Sequence, residues 1–229
     1  MPGISQGFLS NSSGGWPGLI SACDAGTPSP RDPRAAPCPS GRGGRRAGPI
    51  AQAARPRAGG VVVAGENWPT AIAHDIPNCI DARFRTISNR TGRALIGLSA
   101  GGYGAMNIGL RNVNVFGAVE SWSGYFAPTD PSGLHKLNLG SPQANAMAKV
   151  PRGVGLKAAA HTHPTFIGFY VGRQDSRFLD PNYDFNEALD RAHVAHLFRT
   201  YPGGHSGALW RGEAMRWLDY ALDALARGA

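Results

Sequence analysis

The chain has 229 residues, 42% of them hydrophobic, which is enough to bury one core of ordinary domain size. Its formal charge of +8 is concentrated: residues 1–60 hold seven Arg and no Lys against two Asp and no Glu, which is +5 of the +8. Basic charge carried on a solvated arm argues against a nucleic-acid groove, which needs its charge spread over a folded face.

The arm comes first in the chain. Residues 1–60 contain nine Pro and twelve Gly, and runs such as Thr27-Pro28-Ser29-Pro30 and Gly41-Arg42-Gly43-Gly44 show neither a period of 2 nor one of 3.6. So little apolar surface cannot offset the entropy of ordering, and the expectation is a disordered segment. The opening Met1-Pro2-Gly3-Ile4-Ser5 has no basic n-region, and no uninterrupted apolar run follows it. No stretch approaches the roughly 18 apolar residues of a membrane span. The expected location is therefore cytoplasmic. Cys23, Cys38 and Cys79 are an odd set without a CxxC pair, so no disulfide framework is expected.

After Gly60 the pattern becomes regular, and residues 61–229 read as one catalytic domain. Val61-Val62-Val63-Ala64 is a β-branched run typical of a strand buried on both faces. From Pro69 to Arg85 the apolar positions Ile72, Ile76, Cys79, Ile80 and Phe84 recur at three- and four-residue steps, predicting an amphipathic helix. Strands follow at Arg93–Leu98, Phe116–Ser121, Phe166–Val171 and His196–Tyr201. Helices are predicted at Ala105–Arg111, Pro181–His193 and Leu209–Ala226, the last with a core stripe of Trp210, Trp217, Leu218, Leu222 and Leu225. Tyr125 to His163 reads as an irregular excursion. Strands alternating with helices predict an α/β fold with a mostly parallel sheet covered on both faces.

Gly97-Leu98-Ser99-Ala100-Gly101 matches G-x-S-x-G between a strand and a helix-forming stretch. Such a turn lifts the Ser99 oxygen above the sheet and aims the Ala100 N–H at a developing oxyanion. A phosphate loop is the competing reading, but this stretch lacks the P-loop Lys and the G-x-G-x-x-G spacing. A serine needs a base and an orienting acid, in the order Ser, Asp or Glu, His. Asp175 follows one predicted strand through Gly172-Arg173-Gln174, and His205 follows another through Pro202-Gly203-Gly204. Asp180 and Asp184 lie near enough to compete with Asp175. Trp68, after Glu66-Asn67, is a candidate for lining a substrate pocket. His161 and His163 lack a third ligand at a useful spacing, so no metal and no cofactor is expected.

These residues resemble the esterase D type of esterase, the group of S-formylglutathione hydrolases, feruloyl and acetyl-xylan esterases, enterochelin esterase-like proteins and antigen 85 mycolyltransferases. The resemblance runs through Ile80-Asp81-Ala82-Arg83-Phe84-Arg85, the elbow Gly97–Met106, Phe116-Gly117-Ala118-Val119-Glu120-Ser121-Trp122-Ser123-Gly124, Val171–Asp175 and Tyr201–Ser206. It implies an α/β-hydrolase fold, a Ser99–Asp175–His205 triad and a small-molecule ester as substrate, with the oligomeric state left open. It also implies further N-terminal strands and a His-Gly loop carrying a second oxyanion donor, which residues 1–60 do not resemble. The N-terminal part of the fold is therefore expected to be incomplete. Acyl transfer to an alcohol and an inactive hydrolase-like scaffold are the alternatives to ester hydrolysis.

Overall fold

The computed structural model describes residues 68–130 and 132–228. The arm and the expected strand at Val61–Ala64 lie outside the described residues. The first predicted helix is present but broken into α1 (Trp68–Thr70), a π-turn (Ala71–Asp75) and α2 (Ile76–Arg83). Pro77 supplies the reason: it has no N–H to offer the Ala73 carbonyl, and just before it the Ile76 N–H reaches back to the carbonyl of Ala71. The chain becomes extended at Phe84, so that side chain leaves the helical stripe and is exposed rather than packed. Asp81 of α2 forms an ion pair with Arg93.

Four strands, β1 (Ala94–Leu98), β2 (Ala118–Trp122), β3 (Phe166–Gly172) and β4 (Leu197–Tyr201), form a parallel sheet in the order β1-β2-β3-β4. Leu98 pairs with Trp122, Trp122 with Tyr170, and Gly172 with Tyr201, so the carboxyl ends of all four strands lie along one edge. β2 and β3 are buried over nearly their whole length, as strands of a parallel sheet covered on both faces are, although β2 carries Glu120 and Ser121.

Helices cover both faces. On one face α3 (Ala100–Gly109) and α6 (Leu179–Arg191) bury Met106, Ile108, Phe185 and Leu189 against Val119, Ile167 and Phe169. Phe126 stacks on Phe185 at 3.9 Å between centroids, and Phe169 meets Phe185 edge-on at 5.2 Å. Large side chains of this kind contribute about 1.5–3 kcal/mol each on burial. On the other face α7 (Gly207–Ala226) buries Leu209 and Trp217 against Tyr170.

Two expectations are corrected. The excursion after β2 is not irregular throughout: it contains α4 (Pro142–Ala148) and α5 (Val154–Thr162). Ser141 caps α4 by accepting the Ala144 N–H at 3.1 Å ahead of Pro142, a start signal hidden by the few apolar residues that follow. On α7 the buried positions are Leu209, Trp217, Ala221 and Ala224, whereas Leu218 and Leu222 are exposed. Small alanines face the sheet there, since the bulky Trp217 already fills the space above Gly168.

Glu120, in the middle of β2, is fully buried. Its Oε2 accepts the Trp122 indole N–H at 2.8 Å, and its Oε1 has no partner among the described residues. Burial pushes its pKa up to about 8, with the Trp122 bond pulling the other way. The neutral form is thus the one the fold favours. Stability from this group is fully present below the unfolded value near 4.5 and is lost as pH rises towards about 8. Glu120→Gln should therefore raise Tm relative to the parent by at least about 3 °C at pH 8.5 and by much less at pH 5, as thermal melts at the two pH values would report.

Candidate active site

β1 ends at Leu98, and the next residue, Ser99, has φ 53° and ψ −121°, before α3 begins at Ala100. A positive φ at a non-glycine residue costs of order 1–3 kcal/mol and persists only where its surroundings hold it. The Ser99 N–H donates to the Trp122 carbonyl at 2.8 Å, and the Ser99 carbonyl accepts from Tyr103 at 3.1 Å. The turn is so tight that a Cβ on Gly97 would lie 2.1 Å from the Gly101 oxygen. Only glycine fits there.

The acid and histidine loops are laced together at the same edge. Arg173 N–H donates to the Tyr201 carbonyl at 2.8 Å, Gln174 N–H to the Gly203 carbonyl at 3.0 Å, and Gly203 N–H to the Gln174 side chain. A Cβ on Gly172 would come within 2.2 Å of the Gly203 oxygen, so the two backbones touch.

This scaffold brings three predicted residues together. Ser99 Oγ lies 2.8 Å from His205 Nε2, and His205 Nδ1 lies 2.8 Å from Asp175 Oδ2. A carboxylate only accepts, so Nδ1 carries the proton and Nε2 is left as acceptor for the Ser99 hydroxyl. Asp175 has a fully buried side chain, and its Oδ1 accepts the Arg177 backbone N–H at 3.3 Å. Asp180 and Asp184 do not take this place: both lie on α6, Asp180 in its first turn. Ala100 is the first residue of α3, so its N–H is among those with no partner inside the helix. Trp68 opens α1, half-buried, and is not part of this hydrogen-bonded constellation.

Several neighbours carried no signal in the sequence. His205 packs against Phe178, at 5.2 Å between centroids, and Trp210, at 5.0 Å. Tyr125 stacks on Phe178 at 5.1 Å and on Tyr103 at 5.0 Å. The buried Asn182 amide donates to the Gly124 and Phe178 carbonyls at 2.9 and 2.7 Å, tying α6 to the end of β2. Ser123-Gly124, just past β2, stands out in the sequence only through the resemblance, and these contacts join residues far apart in the chain.

A parallel sheet with helices on both faces and a strained serine turn at its carboxyl edge defines an α/β-hydrolase. The model of the family described as Putative esterase matches residues 33–217. The chain belongs to that esterase family. The match begins ahead of Val61, within the segment that composition sets apart as an arm. Two esterases of Mycobacterium tuberculosis, from strains CDC 1551 / Oshkosh and H37Rv, are each 28% identical over 168 residues, covering 62% of this chain and 37% of their own. The chain thus spans little more than a third of the length of these curated relatives. Among solved structures, a ferulic acid esterase is 25% identical with a TM-score of 0.57, covering 72% of this chain and 64% of its own. An S-formylglutathione hydrolase of Agrobacterium tumefaciens, 20% identical with a TM-score of 0.54, covers 68% and 57% and shares the fold.

The close backbone approaches make a direct prediction. Gly97→Ala should lower Tm by several degrees or abolish soluble expression, because its Cβ would have to displace backbone and not a flexible side chain. Gly104→Ala, at a position where an added Cβ meets nothing within 4 Å, should leave Tm within about 2 °C of the parent in the same melt.

Proposed function

We propose that the protein is a serine hydrolase that cleaves carboxylic esters through an acyl-enzyme. Ser99 attacks the ester carbonyl as His205 Nε2 takes its proton. The tetrahedral oxyanion forms against the Ala100 N–H at the start of α3, where the helix dipole favours negative charge. His205 then gives the proton to the departing alcohol, leaving Ser99 acylated. Water, deprotonated by the same imidazole, attacks the acyl carbon, and Ser99 recovers its proton as the acid leaves. Asp175 holds the tautomer and stabilises the imidazolium. Trp68 is the candidate for lining the substrate side of the site.

One observation carries this reading: the unbroken Ser99–His205–Asp175 relay, with both links at 2.8 Å, assembled from three separate loops. The esterase family of the chain and its similarity to a ferulic acid esterase support an ester as substrate.

Ser99→Ala should reduce kcat for p-nitrophenyl acetate by about 10⁴-fold or more with Tm unchanged. His205→Gln should be comparably damaging, since members of such a unit do not act additively, while Asp175→Asn should cost less than either. Turnover by Ser99→Ala within tenfold of the parent would rule out Ser99 as the nucleophile. A larger loss in Asp184→Asn than in Asp175→Asn would reassign the acid.

A further inference from the structure

Two hydrogen bonds hold His205 by its ring nitrogens, Nε2 to Ser99 Oγ and Nδ1 to Asp175 Oδ2, each at 2.8 Å. Two aromatic rings packed on the imidazole restrain it further. The Trp210 ring stands at 90° to the imidazole with centroids 5.0 Å apart, and Phe178 approaches at 61° and 5.2 Å. Trp210 is itself held. Its indole N–H donates to Ser123 Oγ at 3.1 Å, and Ser123 is fully buried with φ 51°. The Ser123 N–H in turn donates to the Tyr170 carbonyl of β3 at 2.7 Å. Ser206, the cap of α7, follows His205 directly, and its carbonyl accepts the Trp210 N–H at 3.2 Å, so the first turn of α7 folds the indole back onto the imidazole.

We propose that Trp210 is a positioning residue for His205: its indole, anchored by the Ser123 hydroxyl, is one wall of an aromatic clamp that sets the imidazole plane between Ser99 and Asp175. The clamp matters most when the histidine is protonated. Nε2 is then a donor, and the ring must be aimed at the leaving oxygen to return its proton. This inference rests on the serine-hydrolase reading above.

The test uses Trp210→Ala, Trp210→Phe, Ser123→Gly and the double variant Ser123→Gly/Trp210→Phe. Phenylalanine keeps a ring against His205, and glycine removes the hydroxyl while tolerating the positive φ. Each is assayed with p-nitrophenyl acetate, by thermal melt, and by the downfield proton resonance of the His205 Nδ1–H bonded to Asp175. Trp210→Ala is expected to lose about 30-fold or more in kcat with KM within twofold of the parent, the pattern of an interaction that acts on the chemical step. Trp210→Phe should recover most of that loss. Ser123→Gly and Trp210→Phe should cost no more together than the worse of the two alone, because they remove the same bond.

A kcat for Trp210→Ala within threefold of the parent, a loss that falls on KM, or additive single effects would each overturn the proposal. If Trp210→Ala fails to fold, Trp210→Phe, Ser123→Gly and their double variant decide it by the same additivity criterion. If the parent protein neither turns over ester nor reacts with a fluorophosphonate, the hydrolase reading fails, and the resonance decides the clamp separately. Its loss in Trp210→Ala with retention in Trp210→Phe supports the clamp, and retention in both overturns it.

Discussion

The backbone at Ser99 is the constraint on which the rest depends. A φ of 53° is unfavourable for serine, and nothing in the residue itself repays it. The surroundings do so in three ways: the Trp122 carbonyl on β2 holds the Ser99 N–H, Gly97 lets the Gly101 backbone press in, and the Tyr103 N–H of α3 donates to the Ser99 carbonyl. The first needs β1 and β2 to be parallel and in the observed register, with Leu98 opposite Trp122. A one-residue slip would move the Trp122 carbonyl away and turn every side chain of β1 to the other face.

The same register sets the other two members. β3 and β4 end beside one another at Gly172 and Tyr201, and both loops beyond them are short and tied by backbone hydrogen bonds. Short, cross-linked loops are what allow a serine, a histidine and a carboxylate so far apart in the chain to meet at 2.8 Å. Packing on the two faces then fixes the helices that complete the site: α3 and α6 over one aromatic core, α7 over the other. Asn182 of α6 and Trp210 of α7 each reach across to the segment after β2, so that both helical layers bear on the one edge.

Much of this was legible in the sequence because it is local. The elbow is a five-residue pattern between an apolar strand and a helix former, and Asp175 and His205 each follow a predicted strand by a short loop. What was not legible depends on contacts across the chain or on weak local patterns. The π-turn arises from one proline within an otherwise regular stripe. α4 and α5 bury only Leu156, so apolar periodicity had almost nothing to register. Trp210 read as one more apolar residue of α7, and only the fold, by setting it against His205 and Ser123, distinguishes it from Trp217. The preference for Asp175 over Asp180 and Asp184 likewise became a geometric statement only once the loops were in place.

Identifying the acyl-enzyme itself addresses the central claim most directly. The protein is mixed with p-nitrophenyl acetate, quenched in acid during the first turnover and digested, and the mass of the peptide containing Ser99 is measured. The account predicts a single added acetyl group on Ser99, absent from the His205→Gln variant treated in the same way. Acetylation confined to another residue, or ester cleavage at full rate with Ser99 unmodified, would contradict it.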